Sequence, residues 1–243
     1  MSVKRLRIFA GPNGSGKTTI INNLSNQISF GVYVNADDIE KLLKDEGFLN
    51  FELYRIEVAT SQIQTFFKTD AFSPLKLNDP NVWEYLKVKE NKLFVERETY
   101  INSYLAADIA EFIRAYLLSL ETSFSYETVM SHKSKLSFMQ KARAKGYRLY
   151  LYYIATEDPE ININRVKIRV AQQGHAVKPE TITDRYYRSL NNLKEAVKLT
   201  DRAYVFDNSG KVSKLLAEIT GGTNVEVFDE TEMPNWFIKY LVE

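Results

Sequence analysis

The segment RIFAGPNGSGKTTI, residues 7–20, sets the architecture of this chain. It begins inside VKRLRIFA (residues 3–10), whose β-branched and aromatic residues indicate a buried strand that stops at a glycine. Beyond the glycines, TTIINNLSNQI (residues 18–28) places apolar residues at helical spacing. The chain therefore opens with a strand, a glycine-rich loop and a helix.

The loop itself matches the pattern G-x-x-x-x-G-K-[ST] at every position. Glycines let successive backbone N–H groups turn toward anionic oxygens, and the helix that follows adds the positive end of its dipole. Lys17 can reach β- and γ-phosphates, and the Thr18 hydroxyl can ligate Mg²⁺. The predicted nucleotide-binding residues are Gly11, Pro12, Asn13, Gly14, Ser15, Gly16, Lys17, Thr18 and Thr19. The alternative is a glycine-rich turn with no ligand, which the complete match between a strand and a helix disfavours.

Composition restricts the classes of protein that fit. The 243 residues are 44% hydrophobic and 26% charged, and 32 Lys plus Arg nearly cancel 31 Asp plus Glu, so a nucleic-acid-binding surface is not indicated. The chain has no cysteine, which excludes disulfides, thiolate nucleophiles and Cys-ligated zinc. No apolar run approaches the ~20 residues that span a bilayer, and the basic start leads to too few apolar residues for a signal peptide. We expect a cytoplasmic protein with a small-molecule partner and no membrane association.

Further strands alternate with helical segments along the chain. The segments GVYVNADD, SFSYETVM, YRLYLYYIAT and RAYVFDNSG are the second to fifth predicted strands, and NVEVFD is a last strand-like segment. This alternation predicts an α/β protein of the P-loop NTPase class, with a five-stranded, mainly parallel sheet covered by helices on both faces, as in nucleotide kinases. Residues 48–121 are rich in aromatic, helix-like segments, and we predict a helical insertion there within a single domain, residues 1–243.

Acidic and polar residues follow two of the predicted strands. In a parallel sheet the ligand crevice lies beyond the carboxyl ends of the strands, so Asp37 is placed to accept a proton from an attacking hydroxyl or to help hold a metal. The alternative is that Asp37 or Asp38 caps a helix beginning at Ile39, and Asp38 is the better cap. Glu127 and Thr128 end the third strand, either as an anchor for substrate or as exposed strand-end residues.

Two arginine-bearing helices flank a loop that contains glycine and proline. The four arginines are Arg165 and Arg169 on one helix, and Arg185 and Arg188 on the next. A hairpin of this kind, over about residues 165–188, predicts a lid that closes over a triphosphate, since arginine is always charged and binds phosphate bidentately. Arginines that simply keep an amphipathic helix soluble are the alternative.

Several stretches together resemble the zeta toxin family of P-loop kinases. They are AGPNGSGKTT, YVNADDIE, SFSYETVMSHKSKL, the long segment from GYRLYLYYIAT to YYRSLNNL, and TDRAYVFDNSG. The lid sequence QQGHAV resembles a chromosomal branch of the family more than the plasmid-borne toxins. The resemblance covers the start of the chain and most of residues 123–210, and it is weak over residues 48–121 and beyond residue 210.

The resemblance implies an activity and a set of roles. Family members characterised as toxins phosphorylate the 3′-hydroxyl of UDP-N-acetylglucosamine with ATP. By this resemblance Asp37 is the base that activates the acceptor hydroxyl, Lys17 contacts the nucleotide phosphates and Thr18 holds Mg²⁺. It also implies an antitoxin as a possible protein partner.

Further roles follow from the same resemblance. Glu127 is implied as a contact to the acceptor sugar. Arg169 and Arg185 are the implied lid arginines that stabilise the transferred phosphoryl group, with Arg165 and Arg188 as close competitors. Asn208, after the fifth strand, falls where related kinases hold the adenine.

Three functional hypotheses are compatible with this sequence. The first is a Mg²⁺-ATP-dependent kinase that acts on a small molecule, with a nucleotide sugar as the suspected acceptor. The second is an ATPase or ATP-driven switch whose insertion binds a protein partner. The third is a kinase of nucleic-acid ends, against which the near-neutral charge argues.

Overall fold

The computed structural model describes residues 3–70, 78–171, 177–229 and 233–243. The chain divides into two compact units. The first comprises Met1–Phe30 and Glu127–Glu243, and the second comprises Gly31–Tyr126. The predicted insertion, residues 48–121, therefore lies within the second unit.

The described helices are numbered here in chain order. They are α1 (Lys17–Leu24), α2 (Ala36–Asp45), α3 (Thr60–Thr69), α4 (Ser103–Ser119), α5 (Ser134–Ala144), α6 (Pro159–Ala171), α7 (Pro179–Asn191), α8 (Leu193–Lys198) and the short α9 (Asn235–Phe237). A π-helical turn, Ile238–Val242, continues α9, and 3₁₀ turns occur at Phe51–Tyr54, Val82–Tyr85 and Glu98–Tyr100. Among these residues no helix combines the length and apolar character that crossing a membrane requires.

The strands follow the same numbering. They are β1 (Arg5–Ala10), β2 (Val32–Val34), β3 (Phe48–Asn50), β4 (Leu86–Lys89), β5 (Lys92–Val95), β6 (Phe124–Thr128), β7 (Arg148–Ala155), β8 (Arg202–Asp207), β9 (Lys214–Thr220) and β10 (Asn224–Val227). All five strands predicted for the main sheet are present, as β1, β2, β6, β7 and β8. The last strand-like segment is β10.

Parallel pairing dominates around β1. In the first unit the strand order is β10-β9-β8-β7-β1. The β1/β7 and β7/β8 pairs are parallel, and the β8/β9 and β9/β10 pairs are antiparallel. In the second unit β2 pairs parallel with β6. The α/β class with a mainly parallel sheet is therefore confirmed. The sequence analysis did not predict β9, because Lys, Leu, Ala and Glu in KLLAEIT are residues that also favour helices, and pairing with β8 decides the conformation.

A row of aromatic rings fixes the register of the parallel strands. Phe9 of β1 is paired with Tyr152 of β7, which is paired with Tyr204 of β8. Their rings stack with centroids 4.8 Å and 5.1 Å apart, each interplanar angle being 19°. Aromatic pairs of this kind contribute about 0.5–1.5 kcal/mol each beyond the burial of their area. A slip of one residue would separate all three rings, so the row holds the end of β1 and the loop after it in place.

The insertion is not purely helical, which corrects the sequence-based prediction. Its helices α3 and α4 are present, but β3, β5 and β4 form a three-stranded antiparallel sheet in that order. Glu90 and Asn91 connect β4 to β5 with φ values of 49° and 57°, the left-handed pair that a tight hairpin turn requires. The segment LKVKENKLFV carries this signal as alternating apolar residues around an Asn turn, but its aromatic neighbours favoured a helical interpretation.

The start of α2 also differs from the prediction. The helix begins at Ala36, not Ile39, and Asn35 is its N-cap: the Asn35 side-chain oxygen accepts a hydrogen bond from the N–H of Asp37 at 2.9 Å. Asp37 and Asp38 lie in the first turn, where carboxylates interact favourably with the helix dipole. The prediction that Asp38 caps the helix is therefore wrong, because Asn35 already has the extended backbone of a cap residue (φ −132°).

This cap gives the first testable prediction. Replacing Asn35 by Ala removes the acceptor for the Asp37 N–H, and we expect the free energy of unfolding to fall by about 1 kcal/mol. Asn35→Asp keeps an acceptor oxygen at the same position and is the matched control. Urea unfolding of the three proteins measures the difference, and equal stability of Asn35→Ala and Asn35→Asp would contradict the assignment.

Candidate functional site

The glycine-rich loop joins β1 to α1 within the first unit. Gly14 and Gly16 have φ values of 73° and 90°, a left-handed conformation that other residues rarely adopt. A Cβ atom at Gly14 would lie 2.5 Å from the carbonyl oxygen of Asn162, and one at Gly16 would lie 2.0 Å from the side-chain nitrogen of Asn208. Both glycines are therefore required by backbone conformation and by close packing.

Two buried asparagines donate hydrogen bonds to backbone carbonyls of the loop. The side-chain N–H of Asn162 in α6 donates to the carbonyl oxygen of Asn13 at 2.6 Å. The side-chain N–H of Asn208, directly after β8, donates to the carbonyl oxygen of Ser15 at 2.8 Å. The Ser15 N–H donates within the loop to the carbonyl oxygen of Pro12 at 3.2 Å. Residues 11–16, called the cradle here, are thus braced against α6 and against the end of β8.

Gly14 gives a prediction that separates crowding from backbone strain. Gly146 has a similar φ of 76°, but a Cβ atom there meets nothing within 4 Å. Gly146→Ala should cost about 1–2 kcal/mol from the left-handed backbone alone. Gly14→Ala should cost about 1–3 kcal/mol more, because the Asn162 carbonyl must also move. Urea unfolding measures both variants, and equal losses would show that the close contact with α6 carries no energy.

Lys17 is almost fully buried, with 7% of its side chain exposed. Its ammonium donates to the carbonyl oxygens of Gly11 at 2.9 Å and Pro12 at 3.0 Å. The carboxylate of Glu127 lies 3.6 Å from the same nitrogen and is 15% exposed. A buried ammonium is costly unless it has an anionic partner and hydrogen bonds, and Glu127 with the two carbonyls supplies them. The structure therefore places Glu127, a predicted site residue, beside Lys17.

Polar atoms of the loop remain without hydrogen bonds inside the described part of the chain. They are the side-chain oxygens Oγ of Ser15 and Oδ1 of Asn13, both buried. Buried polar atoms in native proteins are nearly always paired, so such atoms mark positions where a ligand or water binds. The N-cap of α1 is Gly16, which has no side chain to cap the first turn. The first N–H groups of a helix lack the usual acceptor four residues back, and together with the dipole they favour an anion. In α1 the Thr19 N–H donates to the carbonyl oxygen of Gly16 at 3.1 Å.

The remaining loop and strand-end residues are placed as follows. Thr18 and Thr19 lie in the first turn of α1 and are exposed. Thr128 accepts the N–H of Met130 on its hydroxyl at 3.0 Å and the N–H of Gly11 on its carbonyl at 3.2 Å. Thr128 thus fixes the start of the loop, and a contact from its hydroxyl to substrate stays a prediction.

The predicted lid is described in part. Helices α6 and α7 pack through Ile163, Val166 and Ile182, so the two arginine-bearing helices form one hairpin. The centre of the predicted loop, including Gly174 and His175, lies outside the described residues.

The four lid arginines differ in their surroundings. Arg188 forms an ion pair with Asp184 on its own helix, and Arg165 donates to the carbonyl oxygen of Gly210 at 3.3 Å. Arg169 is exposed and Arg185 is half-buried. The preference for Arg169 and Arg185 as the phosphate-binding pair stays a prediction.

Asp37 belongs to the second unit, in the first turn of α2, with an exposed side chain.

The second unit also contains an open recess of about 800 Å³. Asn91 fixes its wall by accepting the N–H of Val58 at 3.0 Å and donating to the carbonyl of Ile56 at 2.8 Å. Tyr116 donates to the carbonyl of Glu57 at 2.8 Å. The insertion therefore presents a preformed concave surface.

The residues that support the loop were not predicted from the sequence. Asn162 and Tyr186 are buried positions of α6 and α7, and Thr156 is buried directly after β7. Nothing in their spacing distinguishes them from ordinary buried positions. Asn208 was predicted as a contact to adenine, but its amide nitrogen is used on Ser15, so that role stays a prediction. The supporting role of a buried asparagine can be recognised only when its hydrogen-bond partners are known from the structure.

The braced glycine loop, the buried lysine and the mainly parallel sheet define the P-loop class of α/β proteins. The model of the zeta toxin family matches residues 95–219, just over half of the chain. This chain belongs to the zeta toxin family. The matched region begins after the glycine loop, so the loop motif and the family match are independent observations.

Solved structures share the fold at low sequence identity. One is the crystal structure of AvrRxo1-ORF1:-ORF2 with ATP, which is 13% identical with a TM-score of 0.55, over 93% of this chain and 61% of that chain. Another is the PezAT chromosomal toxin–antitoxin system of Streptococcus pneumoniae, which is 14% identical with a TM-score of 0.55, over 100% of this chain and 80% of that chain.

A curated relative matches a shorter part of the chain. It is an uncharacterized protein of Haemophilus influenzae, 30% identical over 71 residues, which are 29% of this chain and 51% of that protein. The chain thus spans about half the length of this relative and about three fifths of the length of the AvrRxo1-ORF1 chain.

Proposed function

We propose that this protein is a Mg²⁺-dependent kinase that transfers the γ-phosphoryl group of ATP to a sugar hydroxyl, with a nucleotide sugar such as UDP-N-acetylglucosamine as acceptor. The observation that carries the proposal is the buried ammonium of Lys17 beside a glycine loop that Asn162 and Asn208 brace, in a chain of the zeta toxin family. A cation buried in that position fits a polyanionic ligand better than a neutral one.

The cradle fits the phosphates of a nucleotide. The buried oxygens of Ser15 and Asn13 lack partners within the described residues, and the first-turn N–H groups of α1 favour anions. The group at the mouth that would hold Mg²⁺ is the exposed hydroxyl of Thr18. No cluster of three or more His, Asp or Glu residues suited to a metal exists in the described ranges, which agrees with a Mg²⁺ that takes most of its ligands from phosphates and water. When bound, Mg²⁺ neutralises charge on the β- and γ-phosphates.

The protein's own groups would divide the chemistry. Lys17 stabilises the charge that spreads over the phosphate oxygens during transfer. Asp37 accepts the proton of the attacking hydroxyl. Arg169 and Arg185 neutralise the moving phosphoryl group, and bidentate contacts make arginine suited to this task.

Glu127 would have two roles in this proposal. Its carboxylate balances the Lys17 ammonium at 3.6 Å, and it hydrogen-bonds a hydroxyl of the acceptor sugar together with Thr128. A carboxylate that is half of an ion pair still offers lone pairs to a second donor, because each carboxylate has about four acceptor positions.

A protein partner that acts as an antitoxin belongs to the same proposal. Its support is that PezAT, whose structure shares this fold, is a chromosomal toxin–antitoxin system.

The test is to incubate the purified protein with Mg²⁺, γ-labelled ATP and a panel of nucleotide sugars, nucleosides and oligonucleotides. Label on a sugar hydroxyl of a nucleotide sugar supports the proposal. Release of labelled phosphate at a rate independent of every acceptor would replace it with an ATPase or switch module. Salt-sensitive labelling of oligonucleotides would replace it with a nucleic-acid-end kinase.

A further inference from the structure

A chain of buried hydrogen bonds connects the second lid helix to the glycine loop. The phenol of Tyr186 in α7 donates to the carbonyl oxygen of Thr156 at 2.6 Å. The hydroxyl of Thr156, just after β7, donates to the side-chain oxygen of Asn162 in α6. The side-chain nitrogen of Asn162 then donates to the carbonyl of Asn13 at 2.6 Å. Both arginine-bearing helices are therefore joined to the loop through Thr156 and Asn162.

Each member of this chain is enclosed by protein. Thr156 and Asn162 are 0% exposed, and Tyr186 is 2% exposed. Burial raises the pKa of the Tyr186 phenol far above its usual value, so the group stays a neutral donor over the physiological range. In a buried setting, water does not replace a lost partner, so removing one member leaves the next with an unsatisfied polar atom. These hydrogen bonds consequently fix the relative positions of the elements that carry them.

Steric contact strengthens the same connection. The absent Cβ of Gly14 would lie 2.5 Å from the carbonyl oxygen of Asn162, so the tip of the loop rests directly on the first turns of α6. Arg165 and Arg169 follow Asn162 on that helix, about 4.5 Å and 10.5 Å further along its axis. A change in the angle of α6 at Asn162 would move both arginines relative to the loop.

We propose that Thr156, Asn162 and Tyr186 are positioning residues that keep the arginines of α6 and α7 in register with the phosphate-binding loop. The inference rests on the proposed function, since it requires a nucleotide in the loop and arginines that act on it. It assigns a role to residues that touch neither nucleotide nor acceptor. Their effect is on the rate of transfer and not on the affinity for nucleotide, because Asn208 and the Lys17 contacts still hold the loop when one of them is changed.

The test uses substitutions that remove one hydroxyl and keep the shape. Thr156→Val and Tyr186→Phe should lower kcat by about 10- to 100-fold, the scale of a small misplacement of catalytic groups. The Kd for ATP should change by less than about threefold, since uniform binding is retained. Thr156→Ser restores the hydroxyl and should recover most of the rate. Tyr187→Phe removes an exposed phenol beside Tyr186 and is the matched control.

A second measurement does not depend on turnover. Hydrogen exchange is followed in the amides of α6 and α7 with and without Mg²⁺ and a non-hydrolysable ATP analogue. In the wild type the analogue should slow exchange in the loop and in both helices. In Thr156→Val the slowing should remain in the loop and be lost in α7. Circular dichroism checks that each variant is folded. If Thr156→Val does not fold, the same exchange measurement is made on Tyr186→Phe.

The outcomes separate the two proposals. A wild type that binds the analogue but transfers no phosphate contradicts the proposed function, while the exchange data still report the connection. Equal slowing of exchange in α7 of the wild type and of both folded variants overturns the inference, whatever the activity. A wild type that binds no nucleotide overturns both.

Discussion

Asp37→Asn is expected to lower the rate of phosphoryl transfer by about 10²–10⁴-fold, the usual contribution of a positioned general base. Asparagine has the same shape and cannot accept the proton of the attacking hydroxyl. The Kd for ATP should stay within about twofold of the wild type, because the side chain lies in the first turn of α2 and not in the loop. Single-turnover transfer with γ-labelled ATP, together with nucleotide titration, measures both quantities.

Asp38→Asn is the control for this experiment. Asp38 is the next residue in the same turn, it is also exposed, and its replacement removes the same charge from the start of the helix. A general loss of negative charge near α2 would slow both variants alike. Transfer by Asp37→Asn at the wild-type rate would remove Asp37 from the mechanism, and equal loss in the two variants would assign the effect to charge alone.

Lys17→Met is expected to lower kcat by at least about 10²–10³-fold, the loss seen when one preorganised donor to developing charge is removed. Methionine retains most of the length and apolar volume of the side chain. It cannot donate to the carbonyls of Gly11 and Pro12, which Lys17 reaches at 2.9 Å and 3.0 Å. Affinity for ATP should also fall, since the proposed function has the ammonium contact the phosphates in the ground state as well. Labelled-ATP turnover and nucleotide titration measure the two effects.

The control for this variant is Lys211→Met, which removes an exposed lysine of the first unit. Stability is checked separately, because Lys17→Met also leaves the Glu127 carboxylate without its counter-charge at 3.6 Å. Urea unfolding distinguishes a folded protein that has lost activity from one that has lost its structure. A folded Lys17→Met protein with full activity would show that the cradle does not bind the reacting phosphates.

Sequence motifs and hydrophobic periodicity predicted the elements whose conformation depends on neighbouring residues. The strand ending at Ala10, the loop of residues 11–16 and the helix beginning at Lys17 follow from a complete motif and from hydrophobic periodicity. The start of α2 was misplaced because NADD offers three good capping residues within four positions, and only the backbone angle of Asn35 selects among them. The sheet inside the insertion was missed because pairing between β3 and β5 joins segments that are far apart in the sequence.

Some residues of the candidate site were likewise predicted from the sequence, and others were found only in the structure. Lys17 and Glu127 were identified separately from the sequence, and the structure brings their side chains to 3.6 Å. Asn208 was identified for a contact with adenine, which stays a prediction, and the structure adds that its amide supports the loop at Ser15. No sequence motif marks Asn162, Thr156 or Tyr186. Their hydrogen bonds join α7 to Asn13, which lies far away in the sequence.

The strand, the glycine loop and the helix could be recognised from the amino-acid sequence, because the glycines act through their own backbone and the lysine and threonines follow within a few residues. The groups that hold the loop became visible only in the folded chain, since the asparagines and the threonine that support it come from elements far along the sequence. Their polar groups are buried, and a buried polar group is defined by the partner that satisfies it.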